Sequence, residues 1–420
     1  MHKIIMFFFL LVAGQLMQTA LALESTAIYK MHENDVLQIR VLNRETGKKS
    51  TIGSGFIVDN GYKVATNFHV ISKIIIEPEQ FYISYLGKNG RSGPLKLLGI
   101  DIAHDLALLG SESLLGQANK TSSLPPKGSP IFAMGNPYDL GLTISVGTNG
   151  GILNQTDDSR ILFSGSLNAG MSGGPTYNDI GEVIGINVAT AQNSISFIVP
   201  SIYLKRLIEK VKKAPLTTGQ NLKTEITRQL IEYENTYIKS ILEEDWPKIQ
   251  LRQVSLPGII SPTVRCWDNS RKLADKMLYK RYQISCQNQN QVFLDSQNNN
   301  IGDLNYDYFW LESNELNELQ FYNLYQELNE AEIDSQVSKE IVSNFNCKNL
   351  FVDISQQTFK TSLCRREYVD YTGLSDILFT AALTGHYDKG LFVRLTMTGI
   401  DYDASLHLIQ KFMESIEWTP

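Results

Sequence analysis

The chain has 420 residues, a fifth of them charged, and 38 basic side chains against 44 acidic ones leave a formal charge of −6. So mild an acidity excludes the basic footprint that nucleic-acid binding requires. The length exceeds what one hydrophobic core usually supports, so two or more domains are expected.

Residues 1–22 read as a signal peptide. His2 and Lys3 make a basic start, Ile4 to Ala13 is a compact apolar stretch, and Ala20-Leu21-Ala22 is a small-x-small site that places cleavage after Ala22. Gly14, Gln15 and Gln18 interrupt the apolar run before it reaches the roughly 20 residues of a membrane span. No later stretch is long and apolar enough to cross a bilayer, so a periplasmic or secreted protein is expected.

From Leu23 to Ala214 the pattern is mostly short strands. Val36 to Leu42 alternates, Gly53–Val58 and Val64–Val70 are split by the Asn60-Gly61 turn, and Asn43 to Thr51 is a short polar link. Phe81–Leu86, Leu95–Ile100, Ile131–Met134, Leu142–Gly147, Ile161–Phe163 and Val183–Val188 continue the series. Within it lies Asn168-Ala169-Gly170-Met171-Ser172-Gly173-Gly174-Pro175. A serine between glycines is the form of a hydroxyl nucleophile whose neighbours leave backbone N–H groups free for a developing oxyanion, here those of Gly170 and Ser172. Such a serine needs a base and a group that orients the base. His69 closes the second run above, and Asp105 heads the apolar Leu106–Leu109, where a buried acid wants a partner.

The sequences GSGFIV, ATNFHV, HDLALL, GNPYDLGLTISVG, NAGMSGGP and GEVIGINVA follow one another over about residues 50–200, and together they resemble the HtrA (DegP-type) trypsin-like serine proteases. Ser194 to Pro200 resembles the segment that ends such a domain. The resemblance implies a multidomain protein, with an all-β chymotrypsin-like double β-barrel over 23–214. Its cleft would hold a triad of His69 and Asp105 from the first barrel and Ser172 from the second. It implies a serine endopeptidase acting on protein or peptide substrates without metal or cofactor. Ile186, Asn187 and Val188 are implied to pair with a bound peptide as an extra strand. The primary pocket would have its floor near Ser166, where neither Ser166 nor Gly165 nor Leu167 is acidic. Small or medium apolar residues are therefore expected before the scissile bond. Where chymotrypsin relatives carry an acid that pairs with a freed N-terminus, this chain has Met171, so activation by trimming is not expected. Ala169 and Met171 also replace residues common in the HtrA type, which implies a looser or switchable oxyanion loop and leaves room for a catalytically weak binding or chaperone module.

Ser201 to Ala214 reads as an amphipathic surface helix ended by Pro215, and 215–220 as a linker. Leu222, Ile226, Leu230, Tyr233, Tyr237, Ile241 and Leu242 then mark one face of a second helix. Residues 221–420 read as an α+β domain in place of the usual PDZ domains, since no Gly-Leu-Gly-like loop heads a suitable strand. Strands are expected at Val264–Trp267, Tyr282–Phe293, Leu350–Val352, Thr358–Leu363, Leu378–Thr384 and Gly390–Thr398. Helices are expected at Glu315–Glu327, Ala331–Phe345 and Tyr402–Ile416, and the Gln/Asn run 287–300 as an exposed loop. All four cysteines lie here; in an exported chain they suggest two disulfides, and short spacing favours Cys266–Cys286 and Cys347–Cys364. The aromatics Tyr306, Tyr308, Phe309, Trp310, Phe321, Tyr322 and Tyr325 read first as packing. Their number also suits a binding face for an envelope polymer or a protein partner, or a substrate-selecting or regulatory role for this domain.

Overall fold

The structure is a computed structural model that describes residues 25–113, 115–153, 159–191, 195–216, 221–270, 278–288, 292–294, 299–313, 315–329 and 339–418. The expected signal peptide lies outside the described residues, as does most of the expected linker.

Twelve strands close into two antiparallel barrels. The first comprises β1 (Val36–Asn43), β2 (Lys49–Val58), β3 (Lys63–Thr66), β4 (Phe81–Leu86), β5 (Ser92–Asp101) and β6 (Leu106–Gly110), in the order β1-β2-β3-β6-β5-β4. The second comprises β7 (Pro130–Gly135), β8 (Thr143–Leu153), β9 (Arg160–Phe163), β10 (Pro175–Tyr177), β11 (Val183–Ala191) and β12 (Ile195–Pro200), in the order β10-β11-β12-β9-β8-β7. Closure removes the edges that short alternating strands would otherwise expose. The expected β run through His69 stops earlier: β3 ends at Thr66, and Phe68–Ile71 forms a helical turn whose Phe68, Val70 and Ile71 are buried. A helix at Ser25–His32, unmarked by any sequence signal used above, packs against the second barrel, with His32 stacked on Tyr177 at 4.0 Å.

The helix Leu222–Glu243 is capped by Asn221, whose side chain accepts from Thr224 N–H. It joins two cores. Ile226 and Leu230 enter the first barrel's cluster with Ile39, Phe68 and Ile102, while Ile238 and Ile241 enter the core of the C-terminal region. Burying an Ile or Leu side chain contributes about 1.5–3 kcal/mol, so this one helix welds the parts together. The Gln229 amide adds polar contacts, donating to Ile100 O and accepting from Ile102 N–H, both at 3.1 Å.

The C-terminal region is α+β. The strand β14 (Val254–Pro257) lies between β13 (Lys248–Leu251) and β24 (Glu417–Trp418) and pairs with both. A seven-stranded sheet runs β15-β16-β19-β23-β22-β21-β20, formed by β15 (Val264–Asp268), β16 (Lys280–Asn288), β19 (Leu304–Glu312), β20 (Asn346–Ile354), β21 (Gln357–Glu367), β22 (Leu374–Leu383) and β23 (Lys389–Asp401). The helix Tyr402–Glu414 covers it. A separate hairpin pairs β17 (Val292–Phe293) with β18 (Asn300–Ile301).

Three expectations are corrected here. The described part of the Gln/Asn run is no exposed loop: Val292, Leu294, Asn299 and Asn300 are buried, because this segment docks on the first barrel. Within the expected helix Ala331–Phe345, residues 339–345 are turn and coil held by a bridge from Val342 to Tyr368, and the rest lies outside the described residues. Third, the aromatic group is not a binding face. Tyr306, Tyr308, Phe309 and Trp310 are buried because β19 is an inner strand of the sheet with packed faces on both sides; Phe321 and Tyr325 of the helix Glu318–Asn329 are buried against Phe309 and Phe392, and only Tyr322 of the group is exposed.

Cys266–Cys286 and Cys347–Cys364 are bonded. Each joins directly opposite residues, the first on β15/β16 and the second on β20/β21. The two bonds therefore staple the two edge strands of one sheet to their neighbours. Replacing either pair by serines is expected to lower stability by about 3 kcal/mol, the loop-closure value for spacings of this size, measured as a shift in the denaturation midpoint. Burial pushes the His32 imidazole below its usual value. A depressed folded-state value means that the unfolded chain binds the proton first. Stability is then full above the ordinary histidine value of about 6.5 and declines as pH falls below it. Melting curves between pH 7.5 and 5.5 should show a shallower decline for His32→Phe than for the unaltered protein; parallel curves would contradict this.

Candidate active site

Asp105 is almost completely buried in the turn before β6, and its backbone lies in the left-handed region at φ 55°. A non-glycine residue there carries strain of order 1 kcal/mol or more, tolerated where surrounding bonds over-determine it. Those bonds are visible. Asp105 Oδ1 accepts from the His69 backbone N–H at 2.9 Å, and Oδ2 lies 2.7 Å from His69 Nδ1. The Asp105 carbonyl accepts from Phe68 N–H and from the Asn67 side-chain amide at 2.8 Å. The acid thus grips both backbone and ring of the histidine and fixes the imidazole with Nε2 directed away from it.

Ser172 lies on the loop before β10. Its carbonyl accepts from Ser54 N–H at 2.8 Å, which brings the second barrel's loop onto β2 of the first. Gly173 sits at φ 85°, and a Cβ there would come within 2.2 Å of Ser54 O and 2.9 Å of Asn67 N. Only glycine lets the loop approach the segment that carries His69. Gly170, at φ 94°, approaches Asn136 O in the same manner. The N–H groups of Gly170 and Ser172 have no acceptor among the described residues. Met171, the unusual residue before the serine, is buried with Leu167 and Ile198 in the core of the second barrel, and its N–H donates to Asn168 O.

The serine hydroxyl is turned toward the strand beside it. Ser172 Oγ donates to Val188 O at 2.7 Å, and no hydrogen bond joins it to His69. The structure therefore brings His69 and Asp105 into contact and places Ser172 on the adjoining loop, with its proton held by β11.

The strand residues expected to receive a peptide divide. Ile186 pairs with Pro175 on one side and Val199 on the other. Asn187 donates its N–H to Gly174 O, accepts from Gly173 N–H, and uses its buried amide on Met134 O and on Met171 O. Both backbone edges are taken at these two residues, so they brace the serine loop and cannot add a peptide strand. Val188, at a bulge between Asn187 and Ala189, turns its carbonyl to the Ser172 hydroxyl. Ser166 is exposed, between buried Gly165 and Leu167.

Ser54 escaped the sequence reading, although it stands inside GSGFIV. Fully buried, its Oγ donates to Gly170 O at 2.7 Å and accepts from Asn136 N–H at 2.8 Å. The segment it holds, 136–141, is also tied to the first barrel by Asp139, which accepts from Gln38 at 2.9 Å and pairs with Lys49. The Lys49 ammonium holds that carboxyl below its usual value. A second His–Asp pair, His104 and Asp101, stacks against Tyr203 of the helix Ser201–Lys213.

A buried Asp–His pair beside a glycine-flanked serine, at the seam of two six-stranded barrels, is the arrangement of the trypsin-like serine peptidases. Residues 53–186 match the family described as trypsin-like peptidase domain. Within that class the matching region is similar to endoproteases of the HtrA type. It is 32% identical over 177 residues to the serine endoprotease DegS of Escherichia coli, covering 38% of this chain and 48% of that one. It is 28% identical over 201 residues to the chloroplastic protease Do-like 5 of Arabidopsis thaliana, covering 42% and 61%. It is also 32% identical over 189 residues to a probable periplasmic DegP-like endoprotease of Rickettsia conorii, covering 40% and 35%. The chain thus spans between about a third and three fifths of these relatives' length. Among solved structures, a serine endoprotease from Yersinia pestis aligns over 46% of this chain and 68% of its own, at 27% identity and a TM-score of 0.39.

Ser54→Ala would leave the buried Asn136 N–H and Gly170 carbonyl without their partner, at a cost of about 1–3 kcal/mol. The expected outcome is a lower melting temperature together with slower reaction of Ser172 with an active-site fluorophosphonate, while Ser50→Ala, on the exposed start of β2, changes neither.

Proposed function

We propose that the chain is an exported serine endopeptidase in which Ser172 is the nucleophile, His69 the general base and acid, and Asp105 the group that orients and stabilises the imidazolium. The observation that carries this reading is the buried His69–Asp105 contact next to a serine loop whose Gly170 and Ser172 N–H groups have no acceptor among the described residues. In this reading Ser172 rotates about χ1 between staggered wells, releasing Val188 O and turning Oγ toward His69. Oγ then attacks the scissile carbonyl carbon as its proton passes to Nε2, and the two N–H groups receive the oxyanion. Collapse of that intermediate breaks the C–N bond, with the proton delivered from His69 to the leaving amine. Water then hydrolyses the acyl-enzyme by the same exchange.

A peptide strand would lie along β11 from Val188 onward. Without an acid at Ser166, Gly165 or Leu167, the primary pocket favours small or medium apolar residues. Export rests on the residue pattern of 1–22, and the relatives named periplasmic support a periplasmic location. The domain division at 214–221 is part of the same proposal, as is a recruiting or regulatory role for residues 221–420.

Labelling of the full chain with a fluorophosphonate should modify Ser172 in the unaltered protein and not in Ser172→Ala. Peptide hydrolysis should fall by on the order of 10⁴-fold or more in Ser172→Ala and in His69→Ala. Equal labelling or hydrolysis by unaltered protein and Ser172→Ala would refute the assignment.

A further inference from the structure

The C-terminal region does more than pack against the outside of the first barrel. The hairpin β17/β18 pairs Val292 with Ile301 and Phe293 with Asn300, and Leu294 N–H closes it onto Asn299 O at 2.8 Å. Side chains alternate along a strand, and the consequence is plain here. Val292, Leu294 and Ile301 are buried in the cluster that holds Phe68, Val70 and Ile71, the immediate neighbours of His69. Phe293 goes the other way. Its ring lies 5.4 Å from the His69 ring, tilted by 47°, and it packs on the cluster that contains Ala65 and Val188.

The hairpin is held firmly enough for Phe293 to act as a wall. Gly302 N–H donates to Thr398 O at 2.9 Å, and the Asn288 side chain donates to Gly302 O at 2.6 Å while accepting from Leu304 N–H at 3.1 Å. These bonds fix the base of the hairpin to β16, β19 and β23 of the seven-stranded sheet. Phe293 itself remains half-buried.

We propose that Phe293 is a specificity-determining residue that the C-terminal region contributes to the protease cleft. This rests on the reading of Ser172 and His69 given above. A peptide bound in extended form along β11 turns alternate side chains to opposite sides. If the residue before the scissile bond enters the pocket of the second barrel, the residue preceding that one faces the first barrel, where His69 and Phe293 stand. With an aromatic ring against the imidazole, that subsite admits Gly, Ala or Ser and excludes large side chains. Selection for peptides with a small residue at this second position would then be built from a domain outside the two barrels.

Two peptide series identical except at that position, Gly or Ala against Leu or Phe, test the proposal on the full chain. The unaltered protein should cleave the small-residue series with kcat/KM at least tenfold higher, and Phe293→Ala should reduce that ratio at least tenfold. Phe293→Tyr, which keeps the ring, should preserve the ratio, and this variant guards against a general loss of structure in Phe293→Ala. An unchanged ratio in Phe293→Ala overturns the proposal, including the case in which both rates rise together, since the ring would then be a simple cover over His69. Fluorophosphonate labelling separates the two levels. Labelled Ser172 with an unmoved ratio refutes only the role of Phe293, whereas no labelling of the unaltered protein removes the serine reading and this proposal with it.

Discussion

Two barrels can share one reaction centre only where their backbones come within bonding reach, and here that happens at Ser54 and Ser172. The Ser54 N–H bonds the Ser172 carbonyl, its Oγ bonds the Gly170 carbonyl, and its own carbonyl receives the Thr66 hydroxyl. Gly173 makes the approach sterically possible. Every other feature of the site depends on this seam. It sets Ser172 beside the segment that carries His69, and it holds the backbone whose Gly170 and Ser172 N–H groups have no acceptor among the described residues. Such groups are costly to leave unsatisfied in a dry interior and useful where negative charge develops.

The departures at Ala169 and Met171 fit this arrangement. Met171 is a core residue of the second barrel, and Ser54 and Asn187 tie the loop's backbone at Gly170 and Met171. What distinguishes the resting arrangement is the Ser172 hydroxyl, bonded to Val188 O. The Phe293 ring stands against the His69 ring of the adjoining segment.

The C-terminal region solves a stability problem of its own. Its sheet has two edges, and a disulfide ties each edge strand to its neighbour. Its aromatics stack inward, with Tyr306 and Tyr308 both against Phe412 of the helix Tyr402–Glu414. It also shares a continuous core with the first barrel through Ile226, Leu230, Tyr368 and Tyr371. Displacing it would expose that surface, so the hairpin that carries Phe293 is an integral part of the cleft's surroundings.

The residue order by itself determined a good deal. Alternation specified most barrel strands, and glycines around Ser172 specified a close backbone approach. His69 and Asp105 were legible because a histidine after a strand and an acid heading an apolar run are unusual enough to seek each other. The cysteine spacing pointed to the two pairs that are bonded. Only the tertiary structure decided the rest, because it depends on contacts between residues far apart in the chain. Ser54 looked like any serine in the strand run Gly53–Val58 until Gly170 and Asn136 arrived from the other barrel. Ile186 and Asn187 read as an open strand, since nothing local shows that both their edges are occupied. The run containing Phe293 looked like a polar loop because its few apolar residues are outnumbered by Gln and Asn; what buries them is a surface more than 200 positions earlier, at Phe68, Val70 and Ile71. Periodicity reports the face a residue will bury, but the partner for that face is chosen by the packing of the whole chain.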